Sequence, residues 1–114
     1  MSGKDDASVV LGDFEQLVLF AAMRLGDEGY GASIQREISD CTGRDVSLNA
    51  VYTTLDRLET KGFVRSWTGE PTPQRGGRRK KHYALLPAAR AALRRTYRGF
   101  HAITAGLERE LLKP

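Results

Sequence analysis

Residues 46–85 read VSLNAVYTTLDRLETKGFVRSWTGEPTPQRGGRRKKHYAL. Ser47 is a residue type that closes a helix N-terminus through its hydroxyl, and Val46 before it is placed to staple onto Val51. Gly62, just after Lys61, supplies a left-handed stop. Between those limits Leu48, Val51, Leu55 and Leu58 recur at helical spacing and are expected to face inward, which turns Asn49, Ala50, Thr53, Thr54, Arg57 and Lys61 outward. Phe63–Thr68 (FVRSWT) then alternates apolar and polar as a strand does, and Lys81–Leu85 (KHYAL) answers it. The connection GEPTPQRGGRRK holds two prolines and three glycines, so it is a long hairpin tip rather than a tight turn. A helix followed by a basic hairpin is the order of a winged helix-turn-helix, in which the helix lies in a DNA major groove and the hairpin beside it.

The residue types on the exposed helix face suit that task. Reading base edges takes short hydrogen-bonding side chains, and holding phosphates takes cations. Asn49 matches the N6 and N7 of adenine, Thr53 and Thr54 offer hydroxyl and methyl groups, Arg57 suits guanine or a phosphate, and Lys61 a phosphate. Tyr52 stands at the edge of the inward stripe, with its ring expected to pack inside and its hydroxyl to reach a phosphate. In the hairpin, Arg75, Arg78, Arg79, Lys80 and Lys81 surround Gly76 and Gly77, where missing side chains let backbone and arginines approach a phosphate or a narrow minor groove. A nucleotide-binding loop is the rival for such a run, but no GK[ST] follows and no helix begins after the glycines.

Outward from this unit, residues 1–10 read as a polar leader, 11–86 as the winged domain and 87–114 as a terminal helix. Asp13 with Gln16 three positions on suggests a capping box for a helix running to about Leu25. Its apolar residues lie on more than one face, with Phe14, Val18, Ala21 and Leu25 in one stripe and Leu17 and Phe20 on others, so a second subunit is the expected second burial partner. Tyr30, Ile34, Ile38 and Cys41 define the next helix, ended by Thr42-Gly43, with Cys41 expected as a buried thiol. Pro87 suits the first position of the last helix. Along it Leu93, Tyr97, Phe100, Thr104, Leu107 and Leu111 are spaced as a coiled-coil seam. With Ile103, and with Phe14, Leu17 and Phe20 of the first helix, they form the expected dimer interface; Gly99 and Gly106 would let a second backbone come close. The expected class is therefore mostly α with a small β-hairpin: a winged helix-turn-helix carrying a C-terminal dimerisation helix.

Composition narrows the function classes. The chain has 114 residues and 40% hydrophobic residues, enough for one modest core. No apolar run is long enough for a bilayer and the N-terminus lacks the apolar centre of a signal peptide, so a cytoplasmic protein is expected. Charge is divided: 4 basic against 9 acidic residues up to position 46, then 14 basic against 5 acidic. From Arg75 to Arg98 there are nine basic residues and no acid, a density that suits a polyanion such as double-stranded DNA. A lone cysteine and two histidines, His82 and His101, without partners at catalytic or ligand spacing predict no enzyme, no metal and no cofactor. A winged-helix protein-interaction module without specific DNA binding is the alternative from another class.

Three stretches, LGDFEQLVLFAAMRLGDEGYGASIQREI, VSLNAVYTTLDRLETKGFV and GGRRKKHYAL, resemble the PadR family of bacterial transcriptional regulators over about Leu11 to Leu93. The resemblance implies a winged helix-turn-helix that usually represses, dimerises through its first and last helices and binds an inverted repeat. By position it implies phosphate contacts at Tyr30 and Tyr52 and a wing tip at Gly76-Gly77-Arg78. The family's Thr-Pro-x-Gly entry to the last helix reads Leu86-Pro87-Ala88-Ala89 here, and one terminal helix places the chain with the short-tailed members. Some of those hold planar drugs between tryptophans of that helix; this helix has none, and Tyr97 and Phe100 are the aromatic residues left to line a pocket for a small-molecule effector.

Overall fold

The computed structural model describes residues 11–69 and 80–114. In chain order they form α1 (Asp13–Leu25), a 3-10 turn (Gly26–Glu28), α2 (Gly31–Thr42), α3 (Leu48–Thr60), β1 (Val64–Thr68), β2 (Lys81–Leu85), α4 (Pro87–Ile103) and a one-turn α5 (Glu108–Leu111). The class is the expected one, mostly helical with one antiparallel hairpin. The leader and the wing-tip residues Arg75, Gly76, Gly77, Arg78 and Arg79 lie outside the described residues.

α1 starts differently from its sequence signal. Gly12, not Asp13, is the cap residue. Glu15 reaches back to accept the Gly12 N–H at 2.9 Å, and Gln16 donates to the Leu11 carbonyl at 3.0 Å. Val18, Leu19, Ala21 and Ala22 are buried while Phe14, Leu17, Phe20 and Met23 pack partly against the core, so one apolar flank of α1 stays partly open.

α2 ends as expected, with Gly43 left-handed at φ 74°. Tyr30 takes the cap position but has no side chain suited to it. Ser33 fills the role, accepting the Tyr30 N–H at 3.0 Å and donating to the Glu28 carbonyl at 2.6 Å. Cys41, expected in the core, is exposed. It falls on the last turn of α2 beside an open cleft against α1, and its thiol meets Glu37 Oε2 at 3.5 Å.

α3 follows its signals at both ends: Ser47 Oγ accepts the Ala50 N–H at 3.0 Å, and Gly62 is left-handed at φ 83°. Gln35 of α2 donates to the Val46 carbonyl at 2.9 Å, which holds the turn between the two helices. Val51, Leu55 and Leu58 are fully buried, but Leu48 is 37% exposed because the first turn projects beyond the packed part of the domain.

β1 and β2 pair antiparallel from Val64 opposite Leu85 to Thr68 opposite Lys81. Phe63, expected within the first strand, instead belongs to the turn, where its N–H donates to the Leu58 carbonyl at 2.9 Å. A third segment joins the edge: Tyr83 donates to the Gly29 carbonyl at 2.9 Å and Tyr30 bridges to His82. The core gathers Val18, Leu19, Ile34, Ile38, Val51, Leu55, Leu58, Val64, Tyr83 and Leu93, all below 2% exposure, so every main element contributes to one cluster. Each such side chain is worth about 1.5–3 kcal/mol relative to exposure, more than most surface pairs supply.

α4 opens on Pro87 at its first turn. The expected continuous seam is interrupted. Thr104 is the C-cap, with its hydroxyl bonding back to the Phe100 carbonyl at 2.6 Å, and Gly106 is left-handed at φ 87°. Gly106 is thus the stop of the helix rather than a point of close approach within it, and Leu107 and Leu111 follow on a redirected turn.

Candidate nucleic-acid interface

α3 presents one exposed polar face by simple periodicity. Asn49, Thr53, Asp56 and Thr60, spaced 4, 3 and 4, lie opposite the buried Val51, Leu55 and Leu58, and all four are exposed. Of the expected face, Asn49, Thr53 and Arg57 stand outward, Ala50 is half-buried and Ser47 is occupied as the cap. Thr54 is a correction: it is 5% exposed and belongs to the core side, because the inward arc of this helix runs through Val51, Thr54, Leu55 and Leu58 and leaves Leu48 partly open. Asp56 was not among the expected residues. Helical spacing alone would have placed it at the centre of the face.

Lys61 is exposed, as expected, and is also paired within the protein. Its ammonium bonds to Glu15 Oε2 at 2.8 Å, and Arg57 lies 3.9 Å from the same oxygen. Glu15 is 6% exposed, on the first turn of α1. Burial pushes its carboxyl up, but the Lys61 bond, the Gly12 amide and the charges of Lys61 and Arg57 outweigh that and hold the carboxyl below its ordinary value. The cation at the end of α3 is therefore committed to the protein's own first helix. The partners are 46 positions apart, so nothing local announced the pair.

Further exposed positive charge lies at the base of the wing. Lys80 and Lys81 are exposed, with Lys80 Nζ 4.1 Å above the Tyr30 ring and Lys81 Nζ 5.8 Å from the Tyr83 ring. Lys80 first and then Arg36, cations that favour the ionised oxygen, hold the Tyr30 phenol below its usual range against a smaller opposing effect of burial. Tyr30 is thus where α2 meets the wing: one oxygen flanked by two cations, an arrangement that suits a phosphate. Behind it His82 stacks on Trp67 with centroids 5.5 Å apart and meets Tyr30 edge-on at 5.7 Å, and Arg65 covers the outer Trp67 face at 4.8 Å. His82 Nδ1 is buried without a partner among the described residues. Trp67 is accordingly a packing residue of the wing, and Arg36 and Arg65 join the basic surface on tertiary grounds that sequence spacing did not show.

Tyr52 is 39% exposed, its ring lying across the start of α2. A side chain at Gly31 would run into that ring, which explains the Tyr30-Gly31 pair: the tyrosine reaches the wing and the glycine admits the other tyrosine. Ser66 of β1 donates to Glu59 of α3 at 2.8 Å, tying hairpin to helix. At the same seam, burial first and then Asp56, Tyr52 and Glu59 push the Tyr83 phenol up to about 12.

The expected dimer residues divide. Leu93 is 1% exposed and belongs to the protomer core, because the start of α4 packs on α1 and β2. Phe14, Leu17 and Phe20 are half-buried, and Thr104 is the cap of α4. Tyr97, Phe100 and Ile103 are 63%, 64% and 75% exposed, and Leu107, Leu111 and Leu112 continue the apolar surface. Between α1 and α4 lies an open groove of about 310 Å³ lined by Phe20, Met23, Leu93, Tyr97 and the stems of Arg94 and Arg98; Phe100 is not part of it. No described helix is long and apolar enough to cross a membrane.

Residues 19–95 match the transcriptional regulator PadR-like family. Among solved structures, the chain is similar to a PadR family transcription regulator from Clostridium difficile R20291 (20% identity, TM-score 0.68, 90% of this chain and 100% of that one). It is also similar to a PadR family transcriptional regulator from Eggerthella lenta DSM 2243 (22% identity, TM-score 0.61, 100% and 99%). A third similar structure is that of the hsRosR-S4 complex (25% identity, TM-score 0.61, 90% and 83%). No curated protein matches the chain.

Proposed function

The chain belongs to the PadR-like family of transcriptional regulators, a family of regulators rather than enzymes, and on that premise we propose that it is a sequence-specific DNA-binding repressor, working in the cytoplasm as a homodimer on an inverted-repeat operator. The observation that carries the reading is that Tyr52, on the exposed side of α3 next to the stripe, lays its ring across Gly31, beside Tyr30 with its Lys80 and Arg36 cations at the base of the wing. The stripe supplies side chains that distinguish base edges, and the cluster supplies phosphate contacts that set the register. The Gly76-Gly77-Arg78 tip continues this basic surface in sequence.

Dimerisation is supported by Tyr97, Phe100 and Ile103, which leave an apolar strip on α4 that a monomer would expose to water. Two copies joined there would present two α3 helices, and on one face of DNA their half-sites would be about one helical turn, about 34 Å, apart.

Fluorescence anisotropy with the DNA upstream of the protein's own gene, against a scrambled duplex over a salt series, tests the reading. The expected result is operator binding about a thousandfold tighter than the scrambled control at physiological salt. Equal, salt-quenched binding to both, repeated with duplexes selected from a random pool, overturns it in favour of a protein-docking winged helix.

A further inference from the structure

Asp56 stands out on the α3 face. It is exposed, it lies in the middle of the stripe Asn49–Thr53–Asp56–Thr60, and among the described residues it makes no ion pair. Its cationic neighbour Arg57 is turned toward Glu15 Oε2, 3.9 Å away, so Asp56 is not neutralised by the next residue. A carboxylate placed toward a polyanion raises the energy of every complex in which it meets only phosphates and acceptor atoms. The same group gains a charge-assisted hydrogen bond where a base offers an amino group.

An ionised carboxylate only accepts. In the major groove guanine presents N7 and O6 and thymine O4, all acceptors, whereas cytosine N4 and adenine N6 are donors. Asn49, which both donates and accepts, sits seven residues before Asp56, about 10 Å along the helix and so about three base-pair steps away. The two residues are therefore positioned to address different base pairs of one half-site.

We propose that Asp56 is a specificity-determining residue: it requires the amino-bearing base of one pair, cytosine or adenine, to lie on a set strand at one position of each half-site, and it lowers binding to DNA that puts guanine or thymine on that strand there. The proposal rests on the DNA-binding reading above and adds the chemistry by which wrong sites are rejected.

The test is selection of duplexes from a random pool by the wild-type protein, Asp56→Asn and Asp56→Ala, followed by anisotropy on the selected site, its single-base variants and a scrambled duplex. The wild type is expected to select cytosine or adenine over guanine and thymine on one strand at one position per half-site. Both variants should lose about tenfold of discrimination at that position alone and bind scrambled DNA about fivefold tighter at low salt. Thermal melting of the variants controls for folding. Identical base preferences in wild type and variants overturn the proposal while leaving the DNA-binding reading standing. A wild type that selects no sequence overturns both.

Discussion

Glu15 is a carboxylate at 6% exposure whose charge is matched by Lys61 at 2.8 Å and whose second oxygen holds the Gly12 N–H. Removing it would leave the end of α3 and the start of α1 joined by packing alone. Glu15→Gln is expected to cost about 1–2 kcal/mol at neutral pH, less than a fully buried pair because the Lys61 side chain is about one-third exposed. Because the folded carboxyl is held below its ordinary value of 4.5, its contribution is present above that pH and is lost as pH falls through the folded value. Denaturant midpoints of wild type and variant should differ at pH 7 and converge in acid; a difference that persists at low pH would show that charge is not what Glu15 contributes. This pair is also the part of Lys61 that the sequence does not show. Its exposed register on α3 was visible in the sequence, but its partner lies in another helix. Thr54 and Cys41 depart from expectation for the same reason: what covers a helical position depends on where neighbouring elements end.

At the scale of elements, the helix limits were the most legible part of the fold. Ser47, Gly62 and Pro87 act within one turn of themselves, and each does what its chemistry dictates. Gly106 obeyed the same rule of left-handed termination, but the apolar spacing of Leu107 and Leu111 argued for continuation, and the glycine prevailed. The wing base was legible only as charge. Its organisation, with Tyr30 from α2 bridging to β2 and receiving Lys80, depends on the Gly29–Tyr83 pairing and has no sequence period. That organisation makes a distinct prediction for Lys80→Ala. The variant should weaken operator and scrambled DNA by similar factors and reduce the salt slope by about one unit, because it removes one phosphate contact and no base contact. A loss confined to the operator would instead make Lys80 a base reader.

For the molecule as a whole, the chain uses Leu93 and the first turns of α4 to close its core and leaves the rest of α4 uncovered. Every residue from Tyr97 to Ile103 is exposed, and three of them are large and apolar. That division separates folding from assembly. Ile103, 75% exposed and outside the core, can be changed without opening a cavity. Ile103→Lys is therefore expected to leave the protomer folded while placing two charges, one from each copy, across the apolar strip, where they repel and lose hydration. Sedimentation should report a dimer for the wild type and a monomer for the variant. The melting temperature of the wild type should rise with protein concentration and that of the variant should not. Operator affinity should fall by about a hundredfold or more, because two linked half-sites bind with an effective concentration that a monomer lacks. A variant that stays dimeric would move the interface to the partly open flank of α1, where Phe14, Leu17 and Phe20 remain available. A variant that becomes monomeric yet keeps full operator affinity would mean that one α3 and one wing carry recognition unaided.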